Sequence, residues 1–89
     1  MSLKFPSGRT VITPGALSKL VHESVAQGLR RHLAGDWGEL DSEDKAANEW
    51  ALVTGERLLS AYRDLAGEQF WIITEADRSV TTVLLPEEY

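Results

Sequence analysis

The chain has no cysteine, and no stretch of it approaches the roughly 20 apolar residues that a membrane-spanning helix needs. The first absence excludes disulfide bonds and thiolate metal sites. Residues 1–6 lack the apolar segment of a signal peptide, and no repeat, low-complexity tract or linker divides the chain. We therefore expect a single domain spanning residues 1–89, soluble and cytoplasmic, with no membrane partner, no cofactor and no metal.

Basic charge is also scarce, with 9 lysines and arginines against 14 aspartates and glutamates and a net charge of −5. Residues 1–35 carry a local charge of +4, residues 36–49 carry −5 and residues 50–89 carry −4. Nonspecific nucleic-acid binding needs a basic footprint, so we expect no direct nucleic-acid binding. The acidic excess is typical of a solvated surface, and it also permits a basic protein partner.

Strand-forming residues dominate the last third of the chain. Its β-branched and aromatic segments are residues 57–62, 70–75 and 80–85, separated by turns at 65–68 and 76–79. This pattern predicts a three-stranded antiparallel meander, and residues 8–13 add a possible amino-terminal strand. Alternation places Phe70, Ile72 and Thr74 on one face and Trp71 and Ile73 on the other.

Both faces of the predicted sheet are apolar, so each needs a cover. The helices cover one face. The second face is covered either by Phe5, Tyr62 or the tail at residues 86–89, or by a second chain. A homodimer through a sheet face or edge is therefore one of two open alternatives.

Helical spacing dominates the middle of the chain. Thr13 is a suitable N-cap and Pro14 a suitable first-turn residue, and apolar residues then recur at helical spacing as far as Leu33. This stretch predicts one helix, or two with a break within residues 22–27, ending at Gly35.

A further helix is predicted from Asp41 or Ser42 to Thr54, with Gly55 as its stop. Its inner face is expected to consist of Ala47, Trp50, Ala51 and Thr54, with Trp50 as the anchor in the core. The order of elements predicts an α+β fold, an antiparallel sheet packed by two or three helices.

The sequence resembles a family of small bacterial proteins of about this length, and the likeness covers nearly the whole chain. The residues that carry it are Gly35-Asp36-Trp37-Gly38-Glu39-Leu40, Glu43-Asp44, Asn48-Glu49, Gly55, Arg57, Ser60-Ala61-Tyr62, Trp71 to Ser79 and Leu84 to Tyr89. Members of the family carry labels such as "plasmid-related", and some are labelled type I restriction subunits. The resemblance implies a bacterial protein from a mobile-element setting. It implies no activity, and the restriction label does not fit, because 89 residues without a glycine-rich strand-to-helix turn cannot hold a methyltransferase cofactor.

Two groups of residues are candidates for catalysis. His32 is followed closely by Asp36 and Glu39, and a histidine beside carboxylates can act as a general base. The second hairpin carries Glu75, Asp77 and Arg78, and an arginine there could hold a phosphate. A small hydrolase or nuclease would use His32 with Asp36, Glu39 or the residues Glu75 and Arg78.

Both candidate groups also have a structural interpretation. His32 would then lie in the last turn of a helix, bonded to Asp36, and Asp77 and Ser79 would bond to nearby backbone in a turn. Arg78 would pair with an acidic neighbour.

An acidic cluster around a tryptophan is the candidate partner-binding surface. It consists of Asp36, Trp37, Glu39, Asp41, Glu43 and Asp44. Aromatic anchors and steering charges are typical of protein interfaces, whereas a buried Trp37 would simply fill the core. We expect a non-enzymatic interaction protein, with an inhibitor of host defence as one form. The small hydrolase or nuclease is the alternative.

Overall fold

A computed structural model describes residues 3–89 of the chain. Met1 and Ser2, which belong to the stretch interpreted above as lacking a signal peptide, lie outside the described residues. The elements are β1 (Arg9–Ile12), α1 (Pro14–Lys19), α2 (His22–Leu33), α3 (Ser42–Thr54), β2 (Leu58–Arg63), β3 (Gln69–Thr74), β4 (Val80–Leu84) and a short 3-10 turn (Pro86–Glu88). The α+β class and all four strands predicted from the sequence are confirmed.

The sheet has the strand order β1-β4-β3-β2. Strands β2, β3 and β4 form the predicted antiparallel meander, in which Ser60 lies opposite Ile72 and Ile72 opposite Val83. The expectation of a wholly antiparallel sheet is wrong in one pairing, because β1 runs parallel to β4. A parallel pairing needs a long crossover, and the three helices and the β2–β3 hairpin between β1 and β4 supply it.

Two helices, rather than one, follow β1. The side-chain oxygen of Thr13 accepts a hydrogen bond from the Ala16 amide, and Pro14 opens α1 as predicted. The break lies at Leu20 and Val21, both extended, just before the predicted range. The Val21 amide, free of a helical partner, donates to the Asp64 carboxylate at 3.0 Å, which anchors the start of α2 to the β2–β3 turn.

A glycine lets α2 lie close to the sheet. A Cβ atom at Gly28 would stand 3.0 Å from ring atoms of Phe70 and 3.3 Å from Tyr62. The helix therefore approaches these two aromatic side chains more closely than an alanine would permit. The low helix propensity of glycine, about 1 kcal/mol relative to alanine, is the cost of that approach.

The ends of α3 match the sequence prediction. Asp41 is the N-cap, and its carboxylate accepts a hydrogen bond from the Asp44 amide at 2.8 Å. Gly55 ends the helix in the left-handed conformation at φ 79°, and its amide bonds to the Ala51 carbonyl at 2.9 Å.

The helices cover one face of the sheet through two adjoining clusters. Members of the first come from α1, α2, the strands and the residues just after α1 and β4: Ala16, Leu20, Val25, Tyr62, Phe70, Ile72, Val83 and Leu85. Members of the second are Phe5, Trp37, Ala51 and Leu58, with Leu33, Leu40 and Leu52 packed around them. The prediction that the face of Phe70 and Ile72 packs on the helices is confirmed.

The opposite face carries Trp71 and Ile73, and the carboxyl-terminal residue lies over part of it. The Tyr89 ring stands 5.6 Å from that of Trp71, and the Arg57 guanidinium lies 5.5 Å above the Tyr89 ring and donates to its hydroxyl. Phe5 lies within the helix-side core instead. Of the expected covers, therefore, the tail contributes, while Tyr89 itself stays 65% exposed.

Candidate functional site

His32 lies in the interior, at the centre of a chain of buried polar side chains. It comes from the last turn of α2 and is 0% exposed, and so are its partners on β2 and β3. Its Nδ1 is 2.5 Å from the Ser60 hydroxyl, and its Nε2 is 2.9 Å from the Thr74 hydroxyl. Thr74 in turn contacts Thr81 on β4 at 2.8 Å, and Thr81 donates to the Ser7 carbonyl at 2.7 Å.

The fixed acceptor at the end of this chain sets the direction of every hydrogen bond in it. The Ser7 carbonyl can only accept, so Thr81 donates to it and accepts from the Thr74 hydroxyl. Thr74 therefore accepts from His32, whose Nε2 carries the proton, and Ser60 donates to Nδ1. The arrangement holds His32 as a neutral imidazole of defined tautomer, with both ring nitrogens occupied.

Aromatic rings and a nearby cation reinforce that neutral state. The Phe5 and Trp37 rings meet the His32 ring edge-on, at 5.2 and 5.8 Å. Burial, followed by the charge of Arg78, lowers the pKa of His32 from 6.5 to about 4. His32 bonds to Ser60 and Thr74, so the expected hydrogen bond to Asp36 is wrong. The ring has no exposed surface at which a substrate could meet it.

Arg78 serves the carboxyl-terminal end of α3. Its guanidinium donates to the carbonyls of Ala51 at 3.1 Å and Glu56 at 2.7 Å, and also to the carbonyls of Glu75 and Ala76 in its own hairpin. The last turn of α3 has no basic residue, and Arg78 brings a positive charge to that end of the helix dipole. The expected ion pair with an acidic neighbour is therefore replaced by bonds to backbone.

The hairpin turn itself follows the structural interpretation. Arg78 has φ 62°, a left-handed conformation that is uncommon for a residue with a side chain. Asp77 accepts a hydrogen bond from the Ser79 amide at 3.0 Å. Interaction with the Ser79 side chain, followed by this amide bond, lowers the pKa of the Asp77 carboxyl. The Phe5 ring packs near both candidate catalytic residues, with the Arg78 guanidinium 5.7 Å and the His32 ring 5.2 Å from its centre.

Several acidic residues of the predicted partner-binding surface are occupied by contacts within the fold. Asp36 accepts from the Arg31 guanidinium at 2.7 and 3.2 Å, and this ion pair lowers the pKa of Asp36 and raises that of Arg31. Glu39 pairs with Arg63 at 3.1 Å. The Asp36 and Glu39 carboxylates bond to arginines, and the His32 ring bonds to Ser60 and Thr74, so the proposed catalytic grouping of His32 with Asp36 or Glu39 is not formed.

Trp37, whose position was left open by the sequence, is buried with 4% of its surface exposed. Its indole N–H donates to the Glu49 carboxylate at 2.7 Å, which ties α3 to the loop before it. Asp41 is the helix cap, while Glu43 and Asp44 are exposed in the first turn and form no ion pair within residues 3–89. Of the predicted surface, Glu43 and Asp44 remain available to a partner.

The exposed aromatic residue of this region is Trp50, and its predicted role as the core anchor of α3 is wrong. Trp50 is 64% exposed and Val53 is 79% exposed. The side of α3 that faces the protein consists of Asn48 and Ala51, which are 5% and 3% exposed, with Leu52 beside them. Ala51 belongs to both the predicted and the observed inner face, so the helix is rotated by about a quarter of a turn from its predicted orientation.

The side chain of Asn48 explains that rotation. Its amide nitrogen donates to the Leu59 carbonyl at 2.7 Å, and its oxygen accepts from the Leu59 amide at 3.1 Å. This pair of hydrogen bonds to the edge of β2 requires the Asn48 side chain to face inward, and Trp50 is therefore turned outward. Sequence reasoning favoured the stripe with the larger apolar residue, and no local signal marks an asparagine that will bind a strand edge.

The outward side of α3 presents a continuous apolar stripe. Ala46, Trp50 and Val53 follow the spacing i, i+4, i+7 that places side chains on one helix face, and all three are exposed. Glu43 lies one turn before Ala46, and Glu49 flanks the stripe at its side. We refer to Ala46, Trp50 and Val53 as the α3 stripe.

Three surface cavities accompany these features. One, of about 270 Å³, lies between α3 and β2 and is lined by Leu40, Asp44, Ala47, Asn48, Arg57 and Leu59. The other two, of about 310 and 280 Å³, border α2 around Gln27 and Arg30. His32, Glu75 and Arg78 line none of the three.

Comparison with protein-family models, curated proteins and solved structures found no significant match. Within residues 3–89, no three histidine, aspartate or glutamate side chains lie close enough together to hold a metal ion. In the same part of the chain, no helix is both long and apolar enough to cross a membrane.

Proposed function

We propose that this protein is a non-enzymatic interaction module that binds a basic protein partner through the α3 stripe and the acidic residues beside it. The observation that carries the proposal is the exposure of Trp50, at 64%, on the side of α3 opposite its buried face. Tryptophan is enriched among residues that dominate binding energy at interfaces. Its exposure within an apolar stripe is typical of surfaces that a partner covers.

The geometry of the stripe suits recognition by an apolar groove. Residues at i, i+4 and i+7 of a helix are the anchors by which amphipathic helices bind grooves in other proteins. The α3 stripe has this spacing on a helix already held by Asp41 and Gly55 at its ends and by Asn48 at its centre. A preorganised helix loses little conformational freedom on binding, which favours affinity.

Charge defines the rest of the partner. Residues 36–49 contain six acidic side chains and one basic side chain, a local charge of −5. Glu43 and Asp44 lie exposed near the stripe, while Asp36 and Glu39 are partly neutralised by arginines. A partner with an apolar groove bordered by lysine or arginine would match this surface, and opposite charge would speed its association.

The resemblance to plasmid-related bacterial proteins suggests where such a partner belongs. We include among candidates a host defence protein whose basic groove binds nucleic acid, with this chain acting as an inhibitor that occupies the groove. The net charge of −5 is compatible with that role. A protein with the proposed surface needs no catalytic residue, in agreement with a buried, fully bonded His32.

The test is affinity capture from a lysate of the encoding bacterium, followed by calorimetric titration of the purified partner. We expect a basic protein that the wild type retains and that Trp50→Ser loses, with binding at least tenfold weaker. Tyr89→Ser is the matched control, because Tyr89 is 65% exposed on another face. It should bind like the wild type.

Charge is tested with a second matched pair. Glu43 and Glu23 both lie in the first turn of a helix, α3 and α2 respectively. Glu43→Lys should weaken binding and reduce its dependence on salt, whereas Glu23→Lys should leave both unchanged. Binding that survives Trp50→Ser, or that Tyr89→Ser weakens equally, would overturn the proposal.

A further inference from the structure

The two edges of the sheet differ in whether their outward backbone groups are hydrogen-bonded within the chain. At the β2 edge, the Asn48 side-chain amide forms hydrogen bonds with both the N–H and the carbonyl of Leu59. The next outward-facing residue, Ala61, donates to the Trp37 carbonyl at 3.2 Å and accepts from the Glu39 amide at 2.7 Å. This edge is therefore closed to another strand.

The β1 edge is open. The amides of Arg9 and Thr13 donate to the carbonyls of Ser79 and Val83 on the β4 side, at 2.9 and 3.0 Å. In a parallel pair, alternate residues of a strand face the partner strand, so Thr10 and Ile12 direct their backbone groups away from β4. Within residues 3–89, no strand lies beyond β1 in the sheet. Such an edge can pair with another chain.

We propose that the β1 edge pairs with β1 of a second copy of this chain, in antiparallel register about a two-fold axis at Val11. Thr10 of each copy then lies opposite Ile12 of the other, and each pair exchanges two backbone hydrogen bonds, about four in all. The two Val11 side chains meet across the axis in the close, non-hydrogen-bonded position. The result is one continuous eight-stranded sheet, with β-branched residues throughout the new pairing.

The short length of the edge favours a folded copy over a flexible peptide. Gly8 at φ 62° leaves the strand at one end, and Pro14, which has no N–H, begins α1 at the other. A peptide could form only these few hydrogen bonds and would lose its conformational freedom to do so. A second copy brings an ordered strand and neighbouring surface, so the same bonds produce more affinity.

Charge complementarity supports the same register. Arg9 is exposed and forms no ion pair within residues 3–89. In the proposed register it lies opposite Thr13 of the other copy. The Glu88 carboxylate is fixed at Thr13, accepting from its hydroxyl at 2.5 Å and from the Gly15 amide at 3.2 Å. Two symmetric Arg9–Glu88 pairs would therefore form between the copies.

The dimer is tested first by sedimentation equilibrium of the full chain across a wide concentration range. We expect a reversible monomer–dimer equilibrium. Thr10→Pro removes only an outward N–H and should weaken the dimer at least tenfold, whereas the matched control Thr10→Val keeps that N–H and should not. Arg9→Glu should also weaken it. A wild type that stays monomeric at millimolar concentration would overturn the proposal.

The register is tested by disulfide crosslinking. The wild-type chain has no cysteine, so only the introduced thiols can react. Val11→Cys places two thiols across the axis, where the expected Cα separation of about 4.5 Å permits a disulfide. Arg9→Cys places its thiols well apart, because Arg9 is not opposite itself. Mild oxidation should therefore link the Val11→Cys chains and not the Arg9→Cys chains. Equal crosslinking of the two variants contradicts the register.

The α3 stripe is the competing site of self-association, and one variant separates the two. Trp50→Ser should leave the dimer unchanged while abolishing the partner binding proposed above. Loss of the dimer in Trp50→Ser, with no effect of Thr10→Pro, would assign self-association to α3 and refute the β1 edge. If Thr10→Pro does not fold, as judged by circular dichroism, Val11→Lys replaces it, since like charges at the axis should separate the copies.

Discussion

The interior around His32 is polar and the outer side of α3 is apolar, which is the reverse of the usual distribution in a folded protein. The interior holds a chain of polar groups, His32, Ser60, Thr74 and Thr81, each 0% exposed and each hydrogen-bonded. The surface holds a tryptophan and a valine that contact solvent. Polar groups in the core are tolerated because they satisfy one another, whereas exposed apolar groups have no such internal compensation. The difference favours a structural role for His32, and it is the basis on which we propose a recognition role for Trp50.

The largest expected effect is on the interior. His32→Ala removes the centre of the polar chain and leaves a cavity, and it should lower the free energy of unfolding by about 3 kcal/mol. His22→Ala is the matched control. His22 is exposed, its ring bonds to the Leu17 carbonyl at 2.9 Å, and its loss should cost less than about 1 kcal/mol. Chemical denaturation measures both, and equal losses would contradict the central role of His32.

The next effect is a dependence of stability on pH. Well above pH 6.5, His32 is neutral in both the folded and the unfolded chain, so it does not make the free energy of unfolding depend on pH. As the pH falls towards about 4, the unfolded chain takes up a proton that the folded chain refuses, so stability should fall by about 3 kcal/mol. The pKa values of Asp36 and Asp64 are lowered from 3.8 and that of Glu88 is lowered from 4.5, so these carboxylates also lose stability below about pH 5. The part of the loss between pH 6.5 and about pH 5 is therefore the part that belongs to His32.

Nuclear magnetic resonance of the imidazole nitrogens tests the cause directly. The His32 ring should stay in the Nε2-protonated tautomer from pH 7 to about pH 5 and titrate near pH 4. Titration at or above pH 6.5, or protonation of Nδ1 in the neutral form, would show that the ring does not occupy the described hydrogen bonds.

The smallest effect is expected on the surface. Trp50→Ser should change the free energy of unfolding by less than about 0.5 kcal/mol, because Trp50 is 64% exposed and the two residues have similar helix propensities. Trp37→Ser, at a residue 4% exposed, should cost several times more. Acrylamide quenching gives a second measurement, since removal of Trp50 should remove the most accessible fluorescence. A large loss of stability in Trp50→Ser would mean that α3 is turned as first predicted.

Local patterns were sufficient for most of the fold. The meander at residues 57–85 was predictable because alternating β-branched residues and two turns specify each strand separately. Asp41 and Gly55 mark the ends of α3 because capping depends on residues within one turn of the helix. The direction of β1 was not predictable, since it depends on a pairing with β4 some 70 residues away.

The candidate site was harder to predict from the sequence than the fold. The acidic character of residues 36–49 followed from the sequence, but the aromatic residue at its centre did not. Trp37, whose burial the sequence left open, is held inside by Glu49. Trp50, which was predicted to be buried, is turned outward by the bonding of Asn48 to Leu59. Apolar pattern alone could not choose between the two stripes of α3, as both contain apolar residues.

The sequence by itself determined the α+β class, the approximate bounds of the strands and of α3, and the sign of the surface around α3, because these depend on propensity, capping and composition within short segments. Tertiary structure alone decided the partners of His32, which lie 28 and 42 residues away, the orientation of α3 and the open edge at β1. These features arise from buried hydrogen bonds and strand pairings between distant segments. Such contacts form only when the whole chain packs, because their donors and acceptors come from several elements that meet only in the folded protein.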